Sequence, residues 1–190
     1  QHFYQEGYFS AHKYVADHNL IIATPSSVVQ QWGNGDDGKD LPYLMNVISW
    51  VYNTLGTKFD IRSMWVGGHS WSAMYTATFG CRPELADKVR GLIIMSGRPT
   101  LPACSSKMSV IDTNAEMDIG APLDQAMVPM QHGCQAPMMN MLGNNTQTLW
   151  PGCKDKFVHS NYLMLGKKHA DFMDDVVVKS IVDLIKSARP

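Results

Sequence analysis

The chain has 190 residues, is 45% hydrophobic and 17% charged, and carries a net charge of −1. That balance lacks the basic footprint of a nucleic-acid or anionic-membrane binder, and no apolar run approaches the ~20 residues of a membrane span. The length suits a single domain, residues 1–190, with one sizeable core.

The sequence begins without Met and shows no signal-peptide pattern, so it reads as a mature, trimmed or partial chain. From Phe9 to His18 the pattern predicts a short helix with Ser10 as its cap. Leu20-Ile21-Ile22-Ala23-Thr24-Pro25 is a continuous apolar run ending in Pro, as expected of a buried parallel strand. Ser26 to Lys39 is a Gly/Asn/Asp-rich loop carrying Trp32. Loops of this kind often line clefts, and the ring would equally serve to pack the loop down. Asp40 is the expected cap of the next helix. Its apolar stripe is Leu41, Leu44, Ile48, Val51 and Leu55, and Gly56 ends it.

Met64-Trp65-Val66-Gly67-Gly68-His69-Ser70-Trp71-Ser72 then runs strand, sharp turn, helix, with Ser70 at the apex. An apex of this kind takes a strained backbone and needs small residues two positions either side. Gly68 and Ser72 occupy those positions, Ser72 standing where the strict pattern has a second Gly. The turn exposes the hydroxyl and places the Trp71 N–H at a helix N-terminus, where it can hold an oxyanion.

The helix continues to about Gly80, and Val89 to Met95 is the next apolar strand. A loop with Cys104 follows, then a short strand over Ser109 to Thr113. That strand opens onto Asn114-Ala115-Glu116-Met117-Asp118-Ile119-Gly120-Ala121-Pro122. Met127 to Gly152 is rich in Met, Pro, Gly, Asn and Gln and reads as irregular, apart from a helix before His132. A last strand lies within Phe157 to Leu165, His169 sits in the loop after it, and Asp174 to Ala188 is a final amphipathic helix. Its acids come early and its bases late, which complements the helix dipole. Strands alternate with helices, so the expected class is α/β with a mainly parallel sheet flanked by helices.

Ligand-facing residues in such sheets sit in loops after the strand carboxyl ends. Three of these loops carry Ser70, an acid and His169, in the order of a Ser–His–Asp hydrolase. A hydroxyl is a poor nucleophile until a base takes its proton. Imidazole titrates near neutral pH and can do so, while a carboxylate fixes the tautomer. Two acids compete for that place, Glu116 and Asp118. A capping Ser, a solvated acid and a helix-capping His would explain each residue singly, but not their order after successive strands. The four cysteines, Cys81, Cys104, Cys134 and Cys153, show no metal-ligand spacing. They fit two disulfides or four buried thiols. No metal or other cofactor is expected. Asn144-Asn145-Thr146 is a glycosylation sequon.

From about Phe9 to His169 the chain resembles the polyhydroxybutyrate depolymerase and feruloyl esterase branch of the α/β-hydrolases. The resemblance is carried by Ala16-Asp17-His18-Asn19-Leu20-Ile21-Ile22, by the Trp32 loop into Asp36-Asp37-Gly38-Lys39-Asp40, and by Gly68-His69-Ser70-Trp71-Ser72. Cys81-Arg82-Pro83-Glu84-Leu85, Gly133-Cys134 and Trp150-Pro151-Gly152-Cys153 extend it. The nucleophile turn and acid loop also resemble cutinase-type polyester hydrolases. The resemblance implies a secreted serine esterase with Ser70, Asp118 and His169 as catalytic residues. Asp118 is preferred because the Asp-Ile-Gly-Ala-Pro run resembles the family's acid loop. It further implies the disulfides Cys134–Cys153 and Cys81–Cys104.

The family's first strands, including the His-Gly loop that gives its second oxyanion N–H, lie before position 1. The expectation is therefore an α/β-hydrolase fold without those strands in this sequence: either the chain is trimmed, or it is a shortened variant that draws its second donor from near Gln1–Tyr8. Lys167-Lys168 also stands where the family has small residues. The expected substrate is a small ester or a polyester, bound by Trp71 and Trp32, and the expected state is a monomer. Feruloyl, polyhydroxyalkanoate and aromatic polyester-type esters remain open. The competing expectation is a polymer-binding protein that keeps the fold without catalysis.

Overall fold

The computed structural model describes residues 8–27, 32, 39–56, 58, 63–85, 87–97, 107–118 and 127–188. Among them are six strands: β1 (Met64–His69), β2 (Val89–Met95), β3 (Ser109–Ala115), β4 (Met138–Leu142), β5 (Asn145–Trp150) and β6 (His159–Met164). They form one sheet in the order β1-β2-β3-β6-β5-β4. β1, β2, β3 and β6 run parallel, while β5 and β4 fold back antiparallel as a hairpin. The helices are α1 (Val15–His18), α2 (Asp40–Leu55), α3 (Trp71–Gly80), α4 (Met127–Gln131) and α5 (Asp175–Ser187).

β2 and β3 are buried along nearly their whole length, which the apolar run of β2 anticipates, whereas β3 buries Ser109, Asp112, Thr113 and Asn114 along with its apolar residues. On one face, Val177, Val178, Ile181 and Val182 of α5 pack on Ile93, Met95, Ile111, Tyr162 and Met164. On the other, Ala73, Ala77 and Phe79 of α3 pack with Leu92, Ile94 and Val110, and Leu44 of α2 joins them. Burying each of these larger side chains is worth roughly 1.5–3 kcal/mol. The outcome is an α/β-hydrolase fold. Its sheet holds the carboxyl ends of β1, β2, β3 and β6 at a common edge.

Four local expectations are corrected. The run Leu20–Pro25 has no regular secondary structure and joins no ladder, and Ile21 and Ile22 are 44% and 41% exposed. Apolarity marks burial, whereas a strand also needs a neighbour in register, and this run has none among the described residues. It instead borders an apolar trough of about 1230 Å³ that extends past Ile48 and Val51 of α2 to Ser70 and Trp71.

The stretch read as irregular contains the β4–β5 hairpin, closed by Gly143 at φ 61°. Its alternation is hidden because β4 is an edge strand, exposed over Met138–Met141. Asp40 is the first residue of α2 and not its cap. The two oxygens of its buried carboxylate share the one Ser27 hydroxyl hydrogen, at 3.1 and 3.2 Å. Ser10 makes no side-chain cap bond, and a 3₁₀ turn, Ala11–Tyr14, precedes α1.

Candidate active site

β1 delivers the chain to Ser70, whose backbone sits at φ 57°, ψ −121°. A non-glycine residue there costs about 1–3 kcal/mol and persists only where its surroundings enforce it. Here the Ser70 N–H donates to the Met95 carbonyl at 2.8 Å, and its carbonyl accepts the Ala73 N–H at 3.0 Å. A Cβ on Gly68 would collide with the Ser72 carbonyl and Thr76 Oγ1, so only glycine fits two residues before the apex. Ser72 is tolerated two residues after it. Gly97, at the end of β2, is equally required, because a Cβ there would strike Ala73.

His169 lies in the loop between β6 and α5. Its Nε2 is 2.8 Å from Ser70 Oγ and its Nδ1 is 2.8 Å from Asp118 Oδ2. A carboxylate only accepts, so Nδ1 carries the proton and Nε2 is left to accept the Ser70 hydroxyl hydrogen. The side chains of His169 and Asp118 are 42% and 19% exposed, so the imidazole edge reaches solvent while the acid is shielded. The Trp71 N–H is a first-turn donor of α3, a position with no intrahelical acceptor.

Glu116, the rival acid, does something else. Its Oε2 accepts the Gly166 N–H at 2.8 Å, pinning the start of the loop that carries His169. The same loop is held by the Met117 N–H on the Lys167 carbonyl at 2.9 Å and by the Lys168 N–H on Asp171 Oδ2 at 2.7 Å. Lys167 Nζ pairs with Asp174 at 2.8 Å, the N-cap of α5. Lys167 and Lys168 therefore shape this loop through their backbone groups and one ion pair.

Trp32 lies beside the site and is stacked on Tyr75, with centroids 5.5 Å apart. Its carbonyl accepts the Trp71 indole N–H at 3.2 Å. Both predicted aromatics are thus brought together, Trp71 43% exposed at the mouth and Trp32 packed behind it. A cavity of about 270 Å³ opens over Ser70, lined by Trp71, Met74, Ser96, Gly97, Asp118 and His169. Of the stretch expected to give the second oxyanion donor, residues 1–7 lie outside the described residues, as do residues 119–126 of the acid loop and Cys104. Tyr8 turns its phenol to Ser96 Oγ at 3.2 Å and its carbonyl to the Met173 N–H at 3.1 Å.

Sequence reasoning missed His69. Its buried Nε2 lies 2.8 Å from the His169 carbonyl oxygen. Burial pushes its pKa down to about 4. No motif marks it. The alternation of β1 puts 65, 67 and 69 on one face, and only the fold shows that the base loop crosses there.

The Cys134–Cys153 disulfide is present, and Cys81 is disulfide-bonded as well. Cys134, Cys153 and His159 bring potential ligand atoms within 4.8 Å of one another. Both sulfurs are committed to the disulfide. His159 Nδ1 accepts the Val110 N–H at 3.2 Å, which puts the ring proton on Nε2, where it donates to His132 Nδ1 at 2.6 Å. This group therefore offers a metal neither a thiolate nor a free imidazole lone pair. No described helix is long and apolar enough to cross a membrane.

No protein-family model matches the sequence, and no curated protein matches it. Among solved structures, the acetyl xylan esterase from Aspergillus awamori aligns with 77% of this chain and 68% of its own, at 13% identity and a TM-score of 0.53. Two variant structures of SOBER1 from Arabidopsis thaliana align with 87% and 80% of this chain. Their identities are 14% and 15% and their TM-scores 0.45 and 0.46. The chain spans about two thirds of the length of each of the three.

Proposed function

We propose that this chain is a serine carboxylic-ester hydrolase working through an acyl-enzyme. The observation that carries the reading is the unbroken line Ser70 Oγ, His169 Nε2, His169 Nδ1, Asp118 Oδ2, with 2.8 Å at each hydrogen bond. Ser70 Oγ attacks the ester carbonyl while its proton passes to His169 Nε2. Asp118 steadies the imidazolium, and the Trp71 N–H receives the oxyanion. On collapse the C–O bond to the alcohol breaks, and His169 returns its proton to that leaving oxygen. A water, deprotonated by His169, then attacks the acyl-serine. The ester carbonyl carbon leaves as the carboxylic acid and Ser70 regains its hydrogen.

The substrate proposed is a feruloyl, polyhydroxyalkanoate or aromatic polyester-type ester. The support is the apolar rim: Trp71 and Met74 are 43% and 38% exposed beside a cavity sized for one acyl unit. An exposed indole offers a stacking face to an aromatic acyl group. Secretion is proposed from the disulfides, which persist in oxidising compartments. The fold also carries an acetyl xylan esterase, a supporting analogy at the level of fold alone.

The test is p-nitrophenyl acetate and butyrate turnover, alongside fluorophosphonate labelling mapped by mass spectrometry. The expected result is turnover and a label on Ser70 in the wild type. Ser70→Ala should lose the label and on the order of 10⁵–10⁶ in kcat. Equal background rates in both proteins would discard this reading in favour of polymer binding without catalysis.

A further inference from the structure

His69 ends β1 in register with Met95, and it is covalently joined to the nucleophile's residue. Its ring lies between Tyr8 and His169, with centroids 4.0 and 4.8 Å away. Its Nε2 is 2.8 Å from the carbonyl oxygen of His169. A carbonyl can only accept, so that nitrogen carries the proton and donates it. The bond therefore ties the backbone of the base to the strand that delivers the hydroxyl.

The other ties of the base loop run elsewhere. Glu116 and Met117 hold its beginning to the end of β3, and the Tyr8 carbonyl holds Met173 near its far end. Those contacts fix the loop against β3 and the amino-terminal segment. The tie from His69 sets its reach to Ser70.

We infer that His69 is a positioning residue, whose hydrogen bond to the His169 carbonyl sets the Ser70–His169 separation. The inference rests on the serine-hydrolase reading of the site. A neutral donor is the right chemical choice. Burial holds His69 uncharged above about pH 4, so no second cation opposes formation of the His169 imidazolium during attack. A lysine or arginine at residue 69 could make the same bond but would place a charge against that step.

The test compares His69→Leu, which keeps apolar bulk without a donor, with His69→Gln, whose amide N–H reaches a similar distance. His69→Leu is expected to lower kcat by about 10- to 100-fold with KM nearly unchanged, since an ångström of misplacement costs on the order of 10²-fold. His69→Gln is expected to return within about fivefold of wild type, one hydrogen bond being restored. A second readout needs no turnover: the far-downfield proton resonance of His169 Nδ1–H on Asp118. It is expected in wild type and His69→Gln, and lost or broadened in His69→Leu.

Should His69→Leu not fold, as judged by far-UV circular dichroism, His69→Asn takes its place, because its amide is too short to reach. The inference is overturned if the donor-less variant keeps wild-type kcat and resonance. It is equally overturned if His69→Gln is as impaired as His69→Leu. A wild-type protein that takes no fluorophosphonate label would instead remove the hydrolase reading, while the resonance comparison would still decide the role of His69.

Discussion

β1, β2, β3 and β6 run parallel, and the loops leaving their carboxyl ends carry Ser70, Asp118 and His169. β5 and β4 turn back antiparallel and carry none of them. The two halves differ in backbone and in charge. The parallel half keeps two serines in the left-handed region, Ser70 at φ 57° and Ser96 at φ 46°, whereas the hairpin region places glycines at its left-handed turns, 133, 143 and 152. Between Gln125 and Cys153 there is no Asp, Glu, Lys or Arg.

The hairpin's own side chains hold it instead with uncharged groups. Gln147 reaches the Tyr162 hydroxyl at 2.9 Å and Ser180 at 3.3 Å, and Ser160 reaches the Thr148 carbonyl at 3.2 Å. Asn145 bonds Asp174 at 2.9 Å, and the Cys134–Cys153 disulfide closes the base. Ser70 and Ser96 hold their positive φ beside the cavity over Ser70, whereas the hairpin has relaxed glycine turns and no charged side chain of its own.

The largest separation should come from the two acids in the parallel half. Asp118→Asn is expected to lower kcat by about 10⁴-fold, because the amide cannot hold the productive tautomer of His169. Glu116→Gln should cost less than about tenfold, since its amide oxygen still accepts the Gly166 N–H. Steady-state kinetics on p-nitrophenyl butyrate checks both, and a reversed ranking would move the acid's role to Glu116.

The converse experiment lies in the hairpin region. Replacing Cys134 and Cys153 together by Ser should cost about 3 kcal/mol of stability for a loop of this size, read from urea unfolding. Fluorophosphonate labelling of Ser70 should persist in buffer. Loss of labelling in the still-folded variant would erase the proposed division between the halves.

The smallest effect is on pH dependence, and it draws on both regions. Burial lowers His69 to about 4 and His159 to about 3, the neighbouring His132 adding to the latter. Below the unfolded value of about 6.5, the unfolded chain binds protons on these rings that the folded chain refuses, so stability falls as pH falls. Asp112, buried in β3, is pushed up to about 7 and acts in the opposite sense: it keeps its proton when folded and loses it above about 4 when unfolded. Two histidines against one aspartate leave a net loss on acidification of at most about 1 kcal/mol per pH unit. Urea midpoints at pH 7 and pH 5 measure it. Asp112→Asn, which removes the opposing group, should steepen the fall, and an unchanged slope would show that Asp112 is ionised in the fold.

Much of this was legible because it is recorded locally. The turn at Ser70 demands Gly68, and a buried central strand demands the apolar run of β2. The stripe of α5 repeats at the helical period, and all of these read from a few neighbouring residues. The β4–β5 hairpin was less legible. Its Gly143-Asn144 turn is a hairpin signal, but an edge strand exposed on both faces carries methionines without alternation. The Leu20–Pro25 run misled for the opposite reason, its apolar pattern being complete while no strand pairs with it among the described residues.

By itself, the sequence determined the class of fold, the serine at a strained turn, and the order in which a serine, an acid and a histidine follow successive strands. Backbone sterics and side-chain periodicity act over a few residues, so their demands are written in those residues. Tertiary structure alone decided that Asp118 meets His169 while Glu116 grips Gly166, and that His69 reaches the carbonyl of a residue one hundred positions away. Those outcomes turn on ångström differences in where loops cross the sheet edge. Strand register and packing set such distances, and no local pattern encodes them.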